Sequence, residues 1–587
     1  MQFKSLLPVR VGSVLQFAVC ASLATSACSG SISGSATDTV GGENGGENGG
    51  ENAGGGSDKT APPGPEPVAA ECSARSGRPA WQLSTKTGFQ VRTIVGQVFG
   101  ADALKDTQVD SMLDNLPANY KEKAFDTENK AIASQFTDSY IALAGRIAGL
   151  ASEQATIRTA IESFSGKTCA QTLDLDAGCG LELARNFANA MEREPLSDGD
   201  FNSLMDTYKA NKGKYLSVKA YGGFIASVLL SAKSAMRYDS AELNKSGTVD
   251  AKTMGARLAI TLTSGLPDSD LRAKIEDGSI VKPAVLNSEG KRLMRTASGR
   301  ETLRRFVDQW LNLTLLKTPP AAAGYVATAA DSALVGKAAR YEIGKLFEKT
   351  VLDKAGTLSD FMTTEEVVPS NDWLAKIYGA SKGTETVRAA DRRGILTRVA
   401  FQLFGDYGDY LPIAHRGNNV NATMLCGDIP APPKVDTTLP PNTPDVLSSR
   451  QYFEVLTEQP KCIGCHAYMN PYGYAMSAFS VTGARLPKEK VRNTKTMQMV
   501  EVDTREAVTV KLDSGDKAVT DASALSEALG TSDQARACFA HRFDQFTVGV
   551  KEDFVCAGDD AKKAPTNDLT LEDTLLSYVA SSAFSAR

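Results

Sequence analysis

Cys462, Cys465 and His466 fall within five consecutive positions of KCIGCHAYMNPYGYAM (461–476), in a chain with only ten cysteines and three histidines. In the order C-x-x-C-H, two thiols can add to the two vinyl groups of a haem, whose separation the two-residue gap matches. The histidine that follows lies beneath the iron as its proximal ligand. At these residue counts the pattern arises by chance about once in a thousand such chains. Two other chemistries use the same residues. A structural zinc site needs four ligands, and the one other pair with suitable spacing is Cys538 with His541, in CFAH. A redox-active dithiol needs only the cysteines, but the flanking sequence carries no βαβ pattern to support it. The spacing favours covalently attached haem c.

The group opposite His466 would decide the chemistry. Met469 stands three residues on, on the proximal side. Met476 reaches the other face only if Pro471 and Gly473 turn the chain sharply. Met497 and Met499, in TMQMVEVD, are expected on one strand face about thirty residues on, the arrangement in which a later methionine caps the iron and raises its potential. His541 or His415 would give a bis-histidine haem of lower potential. A filled sixth position transfers electrons; an open one binds peroxide, oxygen or another small ligand. Three histidines support no Ser/His/Asp constellation, and no phosphate-cradling glycine loop follows a strand.

Haem attachment needs export, and the N-terminus supplies the signal for it. MQFKSLLPVR carries Lys4 and Arg10 and no acid; VGSVLQFAVCASLATSA follows as an apolar stretch ending in small residues. This is a secretory signal over 1–27. TSACSG puts Cys28 where a bacterial lipoprotein is cleaved and acylated, with Thr25 in place of the usual leucine; ordinary cleavage near Ala27 is the alternative. A lipid on Cys28 would make the membrane a partner and place the protein in the periplasm or at the cell surface, as an outer-membrane lipoprotein. Beyond the signal, no window offers some 18 uninterrupted apolar residues. In an oxidising compartment, six further cysteines allow three disulfides. Proximity pairs Cys169 with Cys179 and Cys538 with Cys556, leaving Cys72 with Cys426; free buried thiols are the alternative.

The elements that must position this chemistry are mostly helical. Of 587 residues, 42% are hydrophobic and 23% charged, with a net charge of −5. No basic stripe invites nucleic acid. Residues 28–79, with GGENGGENGGENAGGG and a proline-rich run, form a flexible tether. ETLRRFVDQWLNL places Leu303, Phe306, Val307, Trp310 and Leu311 at i, i+3, i+4, i+7 and i+8, one buried helical face. LELARNFANAM does the same with Leu183, Phe187 and Met191. Ser197 with Asp200 resembles a capping box. Helical segments are expected over 80–165, 166–240 and 241–380, then a segment with a proline-rich connector over 381–445. Residues 446–587 should form a small α-rich, cytochrome c-like haem domain. Its β-hairpin insert near 499–513 would pair MVEVD with AVTVKLD.

CIGCHAYMNPYGYAMSAFSVTGAR, with Met469, Pro471, Gly473, Ala475, Phe479 and Gly483, resembles the haem segment CxxCHxxMDPxGFALExFDxxGxxR of the large exported c-haem proteins abundant in planctomycetes and myxobacteria. Those proteins are built of consecutive domains of unknown function. RRGILTRVAF (392–401) and HRGNNVNATMLCGDIPAPP (415–433) resemble the segment before the haem. YDSAELNKSG, LAITLTSGLPDSDL and RRFVDQWLNL resemble the helical segment preceding it; EREPLSDGDF and GFQVRTIVGQVFG resemble the two before that. The likeness spans roughly 85–555 in family order. It implies a haem-binding, mainly helical exported protein, and no particular reaction. Leu456 replaces a histidine frequent in the family, Ser477 and Ser480 replace two acids, and Asn470 replaces the Asp of MDP. The expectation is a surface-anchored cytochrome-like protein passing electrons to an unknown redox partner. The alternatives are an exported scaffold with structural haem and a peroxidase-like haem enzyme.

Overall fold

In the computed structural model, residues 84–116, 125–127, 134–237, 249–319, 329–405, 410–430, 438–549 and 565–585 are described. Cys28, Cys72, Cys556 and the leader and tether of 1–79 lie outside them. As expected, the protein is mainly helical; among the described residues, strands form only small two-stranded antiparallel sheets. Among the described residues no helix is long and apolar enough to cross a membrane.

Two clusters of buried side chains hold the helices. The first packs α1 (Gly88–Lys105), α2 (Ser134–Glu153), α3 (Ala155–Ser165), α4 (Gly178–Glu192), α5 (Asp198–Lys212) and α6 (Ser217–Leu229). Here α4 buries Leu183, Phe187 and Met191, the face its spacing announces. At α5, Ser197 accepts from the Asp200 backbone N–H. The Asp200 carboxylate accepts from the Ser197 hydroxyl at 2.8 Å, so its short side chain closes a smaller ring than the expected capping box.

The second cluster runs from Phe125 and Val249 to Phe584. It takes in α7 (Ala251–Thr263), α8 (Ala297–Trp310) and α9 (Ala329–Leu352), and also the chain around the C-x-x-C-H motif. Thr296 caps α8 through its hydroxyl, and Leu303, Phe306, Val307 and Trp310 form the buried stripe. Phe306 stacks on Trp310 and meets Phe539, Phe543 and Phe546 edge-on or tilted at 5.2–5.8 Å. Such aromatic contacts add about 1 kcal/mol each beyond area burial. The Trp310 indole donates to the Thr423 carbonyl at 2.8 Å, and the Trp373 indole to that of Thr482 at 3.1 Å. Segments 241–380, 381–445 and 446–587 therefore share one core.

The motif region contains α10 (Ile413–Met424), α11 (Ser449–Thr457), α12 (Pro460–His466) and α13 (Asn470–Tyr474). Four strands follow: β1 (Lys488–Arg492), β2 (Met499–Asp503), β3 (Val508–Leu512) and β4 (Gly515–Val519). The expected pairing is corrected. MVEVD pairs back onto KEKVR in an antiparallel β1–β2 hairpin, and β3 pairs with β4. Alternation makes each stretch a strand, but turns choose partners: Asn493 accepts from the Lys495 and Thr496 amides through its side chain, and Gly515, at φ +100, closes the second hairpin. The chain ends with α14 (Ala522–Gly530), α15 (Asp533–Val548) and α16 (Leu571–Val579).

A buried polar knot ties α9 to the chain at 368–378. Glu342 accepts from the Tyr378 hydroxyl at 2.7 Å and from the Val368 amide at 3.0 Å. Burial pushes its carboxyl up to about 7, against the pull of Arg398; burial does the same to Glu506, against Arg485. An unfolded glutamate titrates near about 4.3, so between about 4.5 and about 7 the folded state holds protons that the unfolded chain has released. That stabilisation is complete below the window and is lost as pH rises through it. Glu342→Gln should flatten part of the slope in urea unfolding between about pH 5 and about pH 8; an unchanged slope would clear Glu342 of the role.

Candidate functional site

The site begins with a close helix crossing. On α10, Gly417 lies against the Met469 carbonyl, and on α13, Gly473 lies against the Ile413 carbonyl; a Cβ at either would land on the opposing backbone oxygen. Next to Gly417, the buried Arg416 donates to the carbonyls of Phe479 (2.8 Å), Gln402 (3.1 Å), Met476 (3.2 Å) and Ser480 (3.2 Å). Arg-Gly on α10 thus pins the chain that follows the motif, charge-assisted bonds supplying the hold.

Pro460 opens α12 at its first turn, where the missing N–H costs nothing. Cys462, Cys465 and His466 stand at i, i+3 and i+4 and share one face of the helix. None of the α12 residues is buried. On α11, which packs against it, only Ser449 and Thr457 are buried. Phe453 and Leu456 on α11, and Ile463, Ala467 and Tyr468 in and after α12, are left half-buried. Where α8 buries Leu303, Phe306 and Val307 almost fully, this stretch leaves a partly exposed apolar surface.

Among the described residues, Cys462 and Cys465 are the free cysteines. Cys169 is joined to Cys179, and Cys426 to Cys538. The second bridge corrects both the Cys538–Cys556 and the Cys72–Cys426 expectations. Cys426 lies two residues past the end of α10 and Cys538 lies on α15, and these helices pack in the shared core; tertiary contact outweighs closeness in sequence. The bridge also removes the Cys538 thiolate that a zinc site with His541 would need. Among the described residues no group of three or more His, Cys, Asp and Glu side chains converges as for a metal ion.

The candidates for the sixth position are dispersed. Met469 precedes α13 and is buried, and Met476 is wholly buried in the shared core. Met499 opens β2, whereas Met497 lies in the turn before it at φ +61, so the two do not share a strand face. Both are more than half exposed. His541 is buried on α15, and His415 is exposed on α10.

His466 is the organised member. Its Nδ1 lies 2.9 Å from Oδ1 of Asn470, which is 3% exposed. The Asn470 amide donates to Thr457 Oγ1 at 2.9 Å and to the Tyr474 hydroxyl at 3.2 Å, and Arg450 stacks over the Tyr474 ring at 4.7 Å. Thr457 and Tyr474 escape a reading by motif; Asn470 was visible only as a replacement for the Asp of MDP, four residues after His466. Away from the motif, a concavity of about 700 Å³ is lined by Arg92, Arg304, Arg305, Asp308, Lys337 and Arg340. Its arginines are engaged by Asp110, Glu348, Asp126 and Asp308.

Residues 249–380 match the family model PSD4, "Protein of unknown function (DUF1592)", and residues 392–489 match PSCyt3, "Protein of unknown function (DUF1588)". These two consecutive domains are domains of the planctomycete c-haem multi-domain proteins. The second match spans α10 to α13 and ends in β1, so it contains the Arg-Gly pin, the glycine crossing and the C-x-x-C-H helix. No curated protein and no solved structure matches the chain.

Proposed function

We propose that the protein is an exported, lipid-anchored c-type haem protein that passes electrons in an extracytoplasmic redox reaction. Cys462 and Cys465 would carry the thioether links and His466 the proximal coordination. One observation carries the reading: two free thiols and an imidazole share one face of a helix set in a half-buried apolar wall, with the imidazole held at Nδ1 so that Nε2 is left for iron. Haem bound there supplies a one-electron couple. The chain's own part is to tether it through two cysteines, orient it through His466, and keep water from one side with Phe453, Leu456, Ile463 and Tyr468, which tunes the potential through the local dielectric. Lys4, Arg10, the apolar stretch behind them and Cys28 support export and the lipid anchor.

Protein produced together with a haem-attachment machinery should give a reduced spectrum with a sharp α-band. A spectrum without haem bands would exclude the redox role. The dispersal of Met476, Met497, Met499, His541 and His415 supports a second reading, an open sixth position with peroxidase-type reactivity. Rapid CO binding by the reduced protein would select it, and inert reduced protein would select the electron-transfer role.

A further inference from the structure

We infer that Asn470 is a positioning residue that holds His466 in a single tautomer, with the proton on Nδ1, and that its neutral amide sets a higher redox potential than a carboxylate would. The first half follows from hydrogen bonds alone. Thr457 has one hydroxyl proton, and it is given to the Phe453 carbonyl one turn back on α11. Toward Asn470, Thr457 can therefore only accept, so the amide atom facing it is the Nδ2 donor. The Asn470 oxygen is then the atom that faces His466. An oxygen without a proton requires one on Nδ1, which leaves the Nε2 lone pair free. The Tyr474 hydroxyl takes the second amide proton, and Asn470 is buried, so no water competes for the arrangement.

The second half rests on the haem reading proposed above. A ligand histidine becomes more electron-rich as its outer hydrogen-bond partner becomes more basic. A carboxylate draws the Nδ1 proton strongly and stabilises the oxidised metal; an amide draws it weakly. Asn470 thus fixes the orientation of the imidazole while drawing its Nδ1 proton only weakly.

The two halves are tested separately. The full chain made without haem attachment, with its three histidine rings labelled with ¹⁵N, should show His466 as the Nδ1–H form above the imidazole pKa, instead of the Nε2–H form a free imidazole favours. Thr457→Val should release the amide and give a mixture of tautomers. A wild-type His466 in the Nε2–H form, or a Thr457→Val protein unchanged from wild type, overturns the positioning role. In haem-loaded protein, Asn470→Asp should lower the midpoint potential while leaving haem content unchanged; an equal or higher potential overturns the tuning. If no haem attaches to the wild type, the proposed function fails, and the ring-nitrogen spectrum still decides the role of Asn470.

Discussion

Replacing Cys426 and Cys538 together by alanine is expected to cost about 5 kcal/mol of unfolding free energy. The bridge spans 112 residues, and cross-linking a loop of that size removes unfolded-state entropy worth about 4.7 kcal/mol in the chain-entropy account. The enclosed loop contains the whole C-x-x-C-H segment, α11 to α13 and both hairpins, so the loss falls on the site. Cys169–Cys179 spans only 10 residues, and its removal should cost about 3 kcal/mol, confined to the helices of the first core. Denaturant unfolding of the two double variants, both fully oxidised elsewhere, makes the comparison. Equal losses would mean that the longer bridge does not constrain the unfolded chain in this way.

Gly473→Ala is expected to destabilise by about 3 kcal/mol and to disturb the motif helix. The added methyl would meet the Ile413 carbonyl, which belongs to α10 and cannot retreat without breaking a helical turn. Overpacking of this kind costs about 1–3 kcal/mol, and more where backbone must move. Gly417→Ala meets the Met469 carbonyl and should behave alike. Gly145, on α2, is the control: nothing lies within 4 Å of its would-be Cβ, so alanine there should stabilise by about 0.5–1 kcal/mol through helix propensity. The opposed signs, read by urea unfolding, separate close approach from a general intolerance of side chains at glycine. A neutral Gly473→Ala would deny that the crossing positions the site.

Much of this architecture was legible from local pattern. The stripe of Leu303, Phe306, Val307 and Trp310 announced α8, because helix periodicity is written in consecutive residues. Cys462, Cys465 and His466 stood out as candidates for the same reason. What escaped depends on contacts between distant segments. Cys538 turned to Cys426 because α15 packs on α10, and MVEVD turned back to KEKVR because a turn at Asn493 chose its partner. Asn470 looked like the loss of a carboxylate; its value appears only when Thr457, thirteen residues earlier, is seen to dictate which amide atom faces the histidine. The Arg-Gly pair at 416–417 was visible as a resemblance, and its reason, four pinned carbonyls and a glycine crossing, is tertiary.

The central claim is that Cys462, Cys465 and His466 hold covalent haem, and a haem stain on the denatured polypeptide tests it most directly. Full-length protein exported alongside a haem-attachment machinery should keep one haem per chain through denaturation, and Cys462→Ala should weaken or abolish the stained band while the protein is still produced. A wild-type polypeptide that carries no haem after denaturation, or that carries stoichiometric zinc and no iron, would contradict the account.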